Sequence, residues 1–308
     1  MPDRKRRLLL RSAPLLTLPA TLIPRIVQPS APDALLEKTI PSTGQPLPVV
    51  GMGTWITFNV GNDPQTIAAR TEVLRTFLEM GGGMVDSSPM YGSAERVLGQ
   101  CRARIGETPR LFSATKVWTN GHAAGLAQVR ASHRLWKLDR FDLFQVHNLL
   151  DWEVHLPALL DMKARDELSY VGITTSHGRR HRDLARVMET QPLDFVQLTY
   201  NIVDREVEQR LLPIAAERGI AVICNRPFQR GALIAKLEGK PLPAWASELN
   251  CDNWAQFLLK FIVSHPAVTC AIPATSQVAH MRENMGAAQG ELPDAATRRR
   301  MVSYVGAL

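Results

Sequence analysis

The chain has 308 residues, 45% of them hydrophobic and 21% charged, which is enough apolar material for a large core and excludes a disordered or low-complexity protein. Its net charge of +7 invites a nucleic-acid partner, but residues 1–31 hold six basic groups against one acid and leave 30 basic and 28 acidic residues elsewhere. The body is therefore nearly neutral, no polyanion-binding face is expected, and Cys101, Cys224, Cys251 and Cys270 lack the pairing or C-x-x-C spacing of a disulfide framework or zinc ribbon.

Taken in chain order, the first signal is Lys5-Arg6-Arg7-Leu8-Leu9-Leu10-Arg11, followed by a moderately apolar stretch over 13–23 and the small-residue segment Pro29-Ser30-Ala31-Pro32. This resembles a bacterial twin-arginine export signal, with Lys5 where Ser or Thr is usual. Pro14, Pro19, Pro24 and Arg25 interrupt any membrane-spanning helix, and no later stretch is long and apolar enough for a stable span. The expectation is a leader over 1–31, handled by the twin-arginine export machinery and delivering the protein to the periplasm. The competing reading is a basic tail on a cytoplasmic enzyme.

Beyond the leader, short apolar runs alternate with longer segments of helical period, the pattern of repeated βα units. A hairpin is expected over 39–48, turning at Ser42-Thr43-Gly44-Gln45. Eight strands follow, over 49–53, 84–88, 111–116, 141–147, 168–174, 195–200, 220–224 and 268–273. Helices are expected over 66–80, 94–105, 153–165, 207–218 and 254–264, with Ser93 and Asp252 as N-caps. A doubly wound sheet would carry a glycine-rich loop after its first strand, and G-x-G-x-x-G is absent there. The predicted fold is a single α/β domain over 32–308, a (β/α)8 TIM barrel whose bottom is closed by the N-terminal hairpin.

Such barrels place chemistry at the C-terminal ends of their strands, and three consecutive strands end in titratable groups. The second ends in Asp86-Ser87-Ser88 and leads into Tyr91, the third in Lys116, the fourth in His147. A carbonyl that accepts hydride needs a proton on its oxygen as negative charge develops there, and Tyr91 can supply it. Lys116 would lower the phenol's pKa toward neutrality, Asp86 would orient and charge Lys116 while cancelling part of its field at the phenol, and His147, as a neutral tautomer, would direct the carbonyl oxygen. His177 and His181 have the spacing of a metal pair but no acidic third ligand, so no metal is expected. Arg226 would meet a pyrophosphate or face solvent.

At this point the sequence closely resembles the aldo-keto reductase family. The resemblance is carried by Gly51-Met52-Gly53-Thr54-Trp55, Asp86-Ser87-Ser88-Pro89-Met90-Tyr91-Gly92, Thr115-Lys116, Val146-His147, Phe195-Val196-Gln197-Leu198-Thr199-Tyr200-Asn201 and Ile272-Pro273-Ala274-Thr275-Ser276 with Arg282-Glu283-Asn284. It implies a reductase of a small-molecule aldehyde or ketone, with NADP, or alternatively NAD, lying extended across the barrel mouth. Gly53 and Thr54 would sit near the nicotinamide, Gln197 against its carboxamide, and Glu283 and Asn284 at the adenine. Trp55, Trp118 and Phe58 would wall the substrate pocket. The sequence departs from the family at Thr174-Thr175, where Ser-Asn is usual, at Asn225, where an aromatic stacks on nicotinamide, and at Ala274 and His280, where a lysine and an arginine bind the 2′-phosphate. Thr174, Thr175, Thr275 and His280 nevertheless belong with the expected cofactor contacts. The competing class is a cofactor-binding redox sensor or accessory subunit with little turnover. Nothing in the sequence sets the oligomeric state.

Overall fold

The structure, a computed structural model, describes residues 35–108 and 111–308; the leader expected over 1–31 lies outside them. Strands β1 (Glu37–Thr39) and β2 (Pro46–Pro48) pair antiparallel as the hairpin. Eight parallel strands follow in sequential order: β3 (Met52–Gly53), β4 (Met84–Asp86), β5 (Phe112–Val117), β6 (Phe141–Val146), β7 (Leu168–Thr174), β8 (Phe195–Thr199), β9 (Ala221–Asn225) and β10 (Cys270–Ala271). Bridges from Val50 to Ala271 and from Gly53 to Ala274 join the last strand to the first and close the barrel.

Strand alternation sorts the side chains into two cores. Met84, Phe112, Ala114, Leu143, Tyr170, Phe195, Ala221, Ile223, Cys270 and Ile272 fill the barrel, and Ile40 and Leu47 of the hairpin join them from below. The hairpin thus plugs the bottom, as its position before the first strand predicts. Outward residues such as Val85, Val117, Val196, Leu198 and Val222 pack beneath the surrounding helices. The helices that bear on the site are α1 (Pro64–Glu79), α2 (Ala94–Ile105), α3 (His122–Trp136), α4 (Trp152–Ala164), α5 (His181–Thr190), α6 (Leu211–Arg218), α7 (Ala232–Leu237), α8 (Trp254–Val263) and α9 (Val278–Gly286). A final helix, α10 (Ala295–Gly306), follows.

Three local expectations are corrected. The helix foreseen over 207–218 is a short 3-10 turn (Glu206–Gln209) and then α6, broken at Arg210. Pro213 supplies the reason: it has no N–H for the preceding turn, and restarting at Leu211 places it in a first turn that needs none. Helix α8 is capped by Asn253, whose Oδ1 accepts from Gln256 N at 3.0 Å, while Asp252 donates its own N–H to Gln256 Oε1 at 2.7 Å. Ser93 stands at the cap position of α2, but its hydroxyl accepts from Gly61 N instead.

Candidate active site

Inward positions that are apolar low in the barrel become polar at the C-terminal ends of the strands. In β5 the sequence Phe112, Ala114, Lys116 runs along one face, Gln145 of β6 pairs in register with Lys116, and Asp86 and Gln197 are inward residues near the C-terminal ends of β4 and β8. These four side chains are buried and bonded to one another. Asp86 Oδ2 accepts from Lys116 Nζ at 2.5 Å, and Asp86 Oδ1 accepts from Gln145 Nε2 at 3.1 Å and Gln197 Nε2 at 2.9 Å. Lys116 also donates to the Ser87 carbonyl at 2.8 Å. Burial holds the lysine's pKa below its ordinary value, opposed by Asp86. Gln197, assigned from sequence to a nicotinamide carboxamide, therefore has its amide nitrogen committed to Asp86. Gln145 was missed, although its parity with Leu143 and His147 would have pointed it inward.

Tyr91 ends a 3-10 turn (Pro89–Tyr91) whose start is capped by Ser88, the hydroxyl accepting from Met90 N at 3.2 Å. The tyrosine ring lies 5.2 Å from Lys116 Nζ and meets the His147 ring edge-on at 5.7 Å. Its phenol is pushed well above the ordinary value by burial and, second, by the charge of Asp86. This reverses the expected lowering. Burial outweighs the lysine's attraction for the phenolate, and Asp86, 2.5 Å from Lys116, cancels part of the lysine's field at the phenol. The phenol accordingly keeps its proton at neutral pH and is available as a donor.

His147 behaves as expected: burial, aided by the Lys116 charge, holds it well below its ordinary value, so the ring is neutral. Ser88 Oγ lies 2.8 Å from its Nδ1. The same hydroxyl accepts from Met90 N, and its own hydrogen can be given to Nδ1, an arrangement that places the ring proton on Nε2. Ser88 was not foreseen in this role.

Above this floor opens a cavity of about 1090 Å³, lined by Asp86, Tyr91 and His147 and by most of the other expected residues: Gly53, Thr54, Trp55, Thr174, Thr175, Gln197, Arg226, Thr275, His280, Glu283 and Asn284. Thr54 donates to the Asp86 carbonyl at 3.0 Å and to Ser87 Oγ at 2.9 Å, which fixes the end of β3 against β4. Thr174 Oγ1 accepts from Asn148 N, and Thr275 Oγ1 accepts from Gln277 N, so both hydroxyls already shape loops. Asn225 donates to the Thr175 carbonyl at 2.9 Å and accepts from Thr199 Oγ1 at 2.7 Å. Arg226 donates to His177 Nε2 at 2.7 Å across the cavity rim. Arg230, not foreseen, stacks its guanidinium 4.8 Å from the Trp55 ring.

Two expected pocket residues are elsewhere. Trp118 is 41% exposed and outside the cavity lining, its backbone N–H held by Gln128 Oε1 of α3. Phe58 is fully buried in the outer core. His177 and His181 do not share a helical turn, because α5 begins only at His181, and no cluster of metal-ligating residues occurs among the described residues.

The sequence model of the Aldo/keto reductase family matches residues 49–299. The chain is 26% identical over 254 residues to methylglyoxal reductase YeaE of Escherichia coli (strain K12), a match covering 81% of this chain and 88% of that protein. Among solved structures, it resembles an aldo/keto reductase from Klebsiella pneumoniae in complex with NADP and acetate, with TM-score 0.72 and 20% identity over 85% of this chain and 93% of that one. An aldo/keto reductase from Brucella melitensis superposes with TM-score 0.70 and 20% identity over 88% of this chain and 100% of the other. The structural likenesses establish the shared barrel, and the family match spans all eight of its parallel strands, leaving out the hairpin and the end of α10. The chain is an enzyme of the aldo/keto reductase family.

Proposed function

We propose that the protein reduces an aldehyde or ketone to an alcohol with NADPH, or with NADH in its place, and that Tyr91 donates the proton. The observation that carries this reading is the placing of the Tyr91 ring at the cavity floor, between Lys116 Nζ at 5.2 Å and the His147 ring at 5.7 Å. The lining fits an extended dinucleotide. It offers apolar surface from Trp55, Phe228 and Ile234, two guanidinium groups in Arg226 and Arg230 for a pyrophosphate, and the carboxylate and amide of Glu283 and Asn284 for an adenine. The nicotinamide, when bound, supplies the hydride.

The chain's own residues do the rest. His147 presents Nε2–H to the carbonyl oxygen and fixes its direction. As the carbonyl carbon gains hydride, negative charge grows on that oxygen, and the Tyr91 phenol releases its proton to it. The tyrosinate left behind lies beside the Lys116 ammonium, so the charge created in the step meets a cation held ready by Asp86. Replacement Tyr91→Phe should lower kcat by about 10²–10⁴-fold with NADPH affinity retained. Retention of activity within a few fold would remove Tyr91 from the role. Methylglyoxal, named for the Escherichia coli relative, is a reasonable first substrate in the panel.

A second reading, a dinucleotide-binding sensor with little turnover, is favoured by Asn225, which stands where the family has a stacking aromatic and is bonded to Thr175 and Thr199. Tight NADPH binding without its oxidation by a broad aldehyde and quinone panel would select that reading.

The arginine pair Arg6-Arg7 further supports export of the folded protein to the periplasm, with dinucleotide loaded before transport. Arg6→Lys with Arg7→Lys should then retain the protein in the cytoplasm. An unchanged distribution would favour the cytoplasmic alternative.

A further inference from the structure

Glu95 is a buried carboxylate that the reaction as described does not use. It sits in the first turn of α2, four residues after Tyr91, and is 3% exposed. Three side-chain donors from two other elements converge on it. Its Oε1 accepts from Thr115 Oγ1 of β5 at 2.6 Å and from Trp136 Nε1 of α3 at 3.1 Å, and its Oε2 accepts from Ser132 Oγ of α3 at 3.1 Å. Thr115, Ser132 and Trp136 are themselves out of water. One turn further along α2, Gly99 lies against the Leu135 carbonyl so closely that any side chain there would overlap it.

Strand geometry turns this cluster toward the site. Successive residues of a strand face opposite ways, so Thr115 points outward to Glu95 while Lys116 points inward to Asp86 and Tyr91. One carboxylate is thereby bonded to the residue adjoining the lysine and lies on the helix that begins just after the tyrosine. Tyr91 needs such a fixed backbone: its ring lies against Lys116 and His147, the turn carrying it is capped at its start by Ser88, and beyond it Ser93 is bonded to Asn59 while Glu95 makes the bonds to β5 and α3.

We propose that Glu95 is a positioning residue of the reductive site, tying the helix that follows Tyr91 to the strand that carries Lys116 and so setting the phenol against the ammonium. The inference rests on Tyr91 as proton donor. Burial raises the Glu95 pKa and the three hydrogen bonds oppose that rise, as expected for an acceptor that the fold holds with a full set of donors. Its charge also favours the protonated form of Lys116.

The test uses the full chain with and without NADPH. Glu95→Ala removes the acceptor, whereas Glu95→Gln keeps an oxygen for Thr115 and Trp136. Expected for Glu95→Ala is a fall in kcat of at least tenfold per NADPH-binding site, with the carbonyl KM and NADPH affinity within twofold of the parent. Glu95→Gln should restore kcat to within about threefold. A second readout needs no turnover: the chain has four tyrosines, so the Tyr91 resonance in 13C-tyrosine-labelled protein is the one lost in Tyr91→Phe. It should move in Glu95→Ala and return in Glu95→Gln. If Glu95→Ala fails to fold, Thr115→Val, which removes one donor, carries both measurements. An unmoved resonance with unchanged kcat per site would overturn the proposal. A parent that reduces no carbonyl would instead sink the reductase reading, and the resonance would still decide whether Glu95 places Tyr91.

Discussion

Lys116 Nζ and Asp86 Oδ2 lie 2.5 Å apart with side-chain exposures of 0% and 2%, so the ion pair at the heart of the site is wholly withdrawn from water. A pair in that position is costly to break from one side only, because the surviving charge stays buried. Lys116→Met should therefore destabilise the protein by about 3–5 kcal/mol. Adding Asp86→Asn should recover much of the loss, since an asparagine oxygen can still accept from Gln145 and Gln197 while carrying no charge. Urea unfolding of both variants checks this, and equal stability of Lys116→Met and the parent would show that Asp86 is neutralised by other means.

Acid should weaken the fold before it protonates His147. The ring's folded pKa is held well below 6.5 by burial, so just below pH 6.5 the unfolded chain binds a proton that the folded chain refuses. More protons on the unfolded side mean that stability rises with pH, and it is lost as pH falls from about 6.5 toward the folded pKa. One such group contributes at most about 1.4 kcal/mol per pH unit. His265, lowered to about 4 by burial, acts in the same direction, with a smaller effect because it is only partly buried. His147→Gln should flatten the slope between pH 6 and 5 in urea titrations, and an unchanged slope would place the acid sensitivity elsewhere.

Much of this site was legible because strand parity and strand ends are sequence properties. Asp86, Lys116 and His147 each follow an apolar run, and the barrel rule sends such residues to the mouth. What the sequence could not show is which polar atoms are already spent. Gln197 reads as a free amide for a cofactor, yet its nitrogen is bonded to Asp86 from a strand 111 residues away. The same limit inverted the Tyr91 expectation: the sequence places Lys116 and an opposing Asp86 nearby, but not the burial of the phenol, which is the first cause of its raised pKa. Trp118 shares parity with Lys116, but its strand ends at Val117 and the chain turns out toward Gln128 of α3. Glu95 carries no local signal, since its partners come from two separate segments.

Ser88 should matter through His147. Donation from its hydroxyl to Nδ1 would keep the ring proton on Nε2, and a single hydrogen bond of this kind is worth about 0.5–1.5 kcal/mol net. Ser88→Ala should therefore lower kcat/KM for carbonyl reduction by up to about tenfold while leaving NADPH affinity unchanged. Steady-state kinetics with fluorescence titration of NADPH separates the two effects. A selective loss of NADPH affinity would mean that the serine serves the cofactor rather than the imidazole.

The barrel seam at Gly53 couples stability to the site. Its N–H donates to the Pro273 carbonyl at 3.0 Å, and a Cβ there would meet the Ile272 carbonyl oxygen at 2.8 Å, a backbone atom that cannot rotate away. Gly53→Ala must therefore part β3 from β10, at a cost of about 1–3 kcal/mol. The same displacement moves Thr54, whose hydroxyl is bonded to the Asp86 carbonyl and to Ser87. Stability and carbonyl reduction should thus fall together. Gly306→Ala is the matched control, because nothing lies within 4 Å of a Cβ at that helix end, and it should be neutral or slightly stabilising. If Gly53→Ala matched the control in urea unfolding, the seam would have slack that the 2.8 Å approach denies.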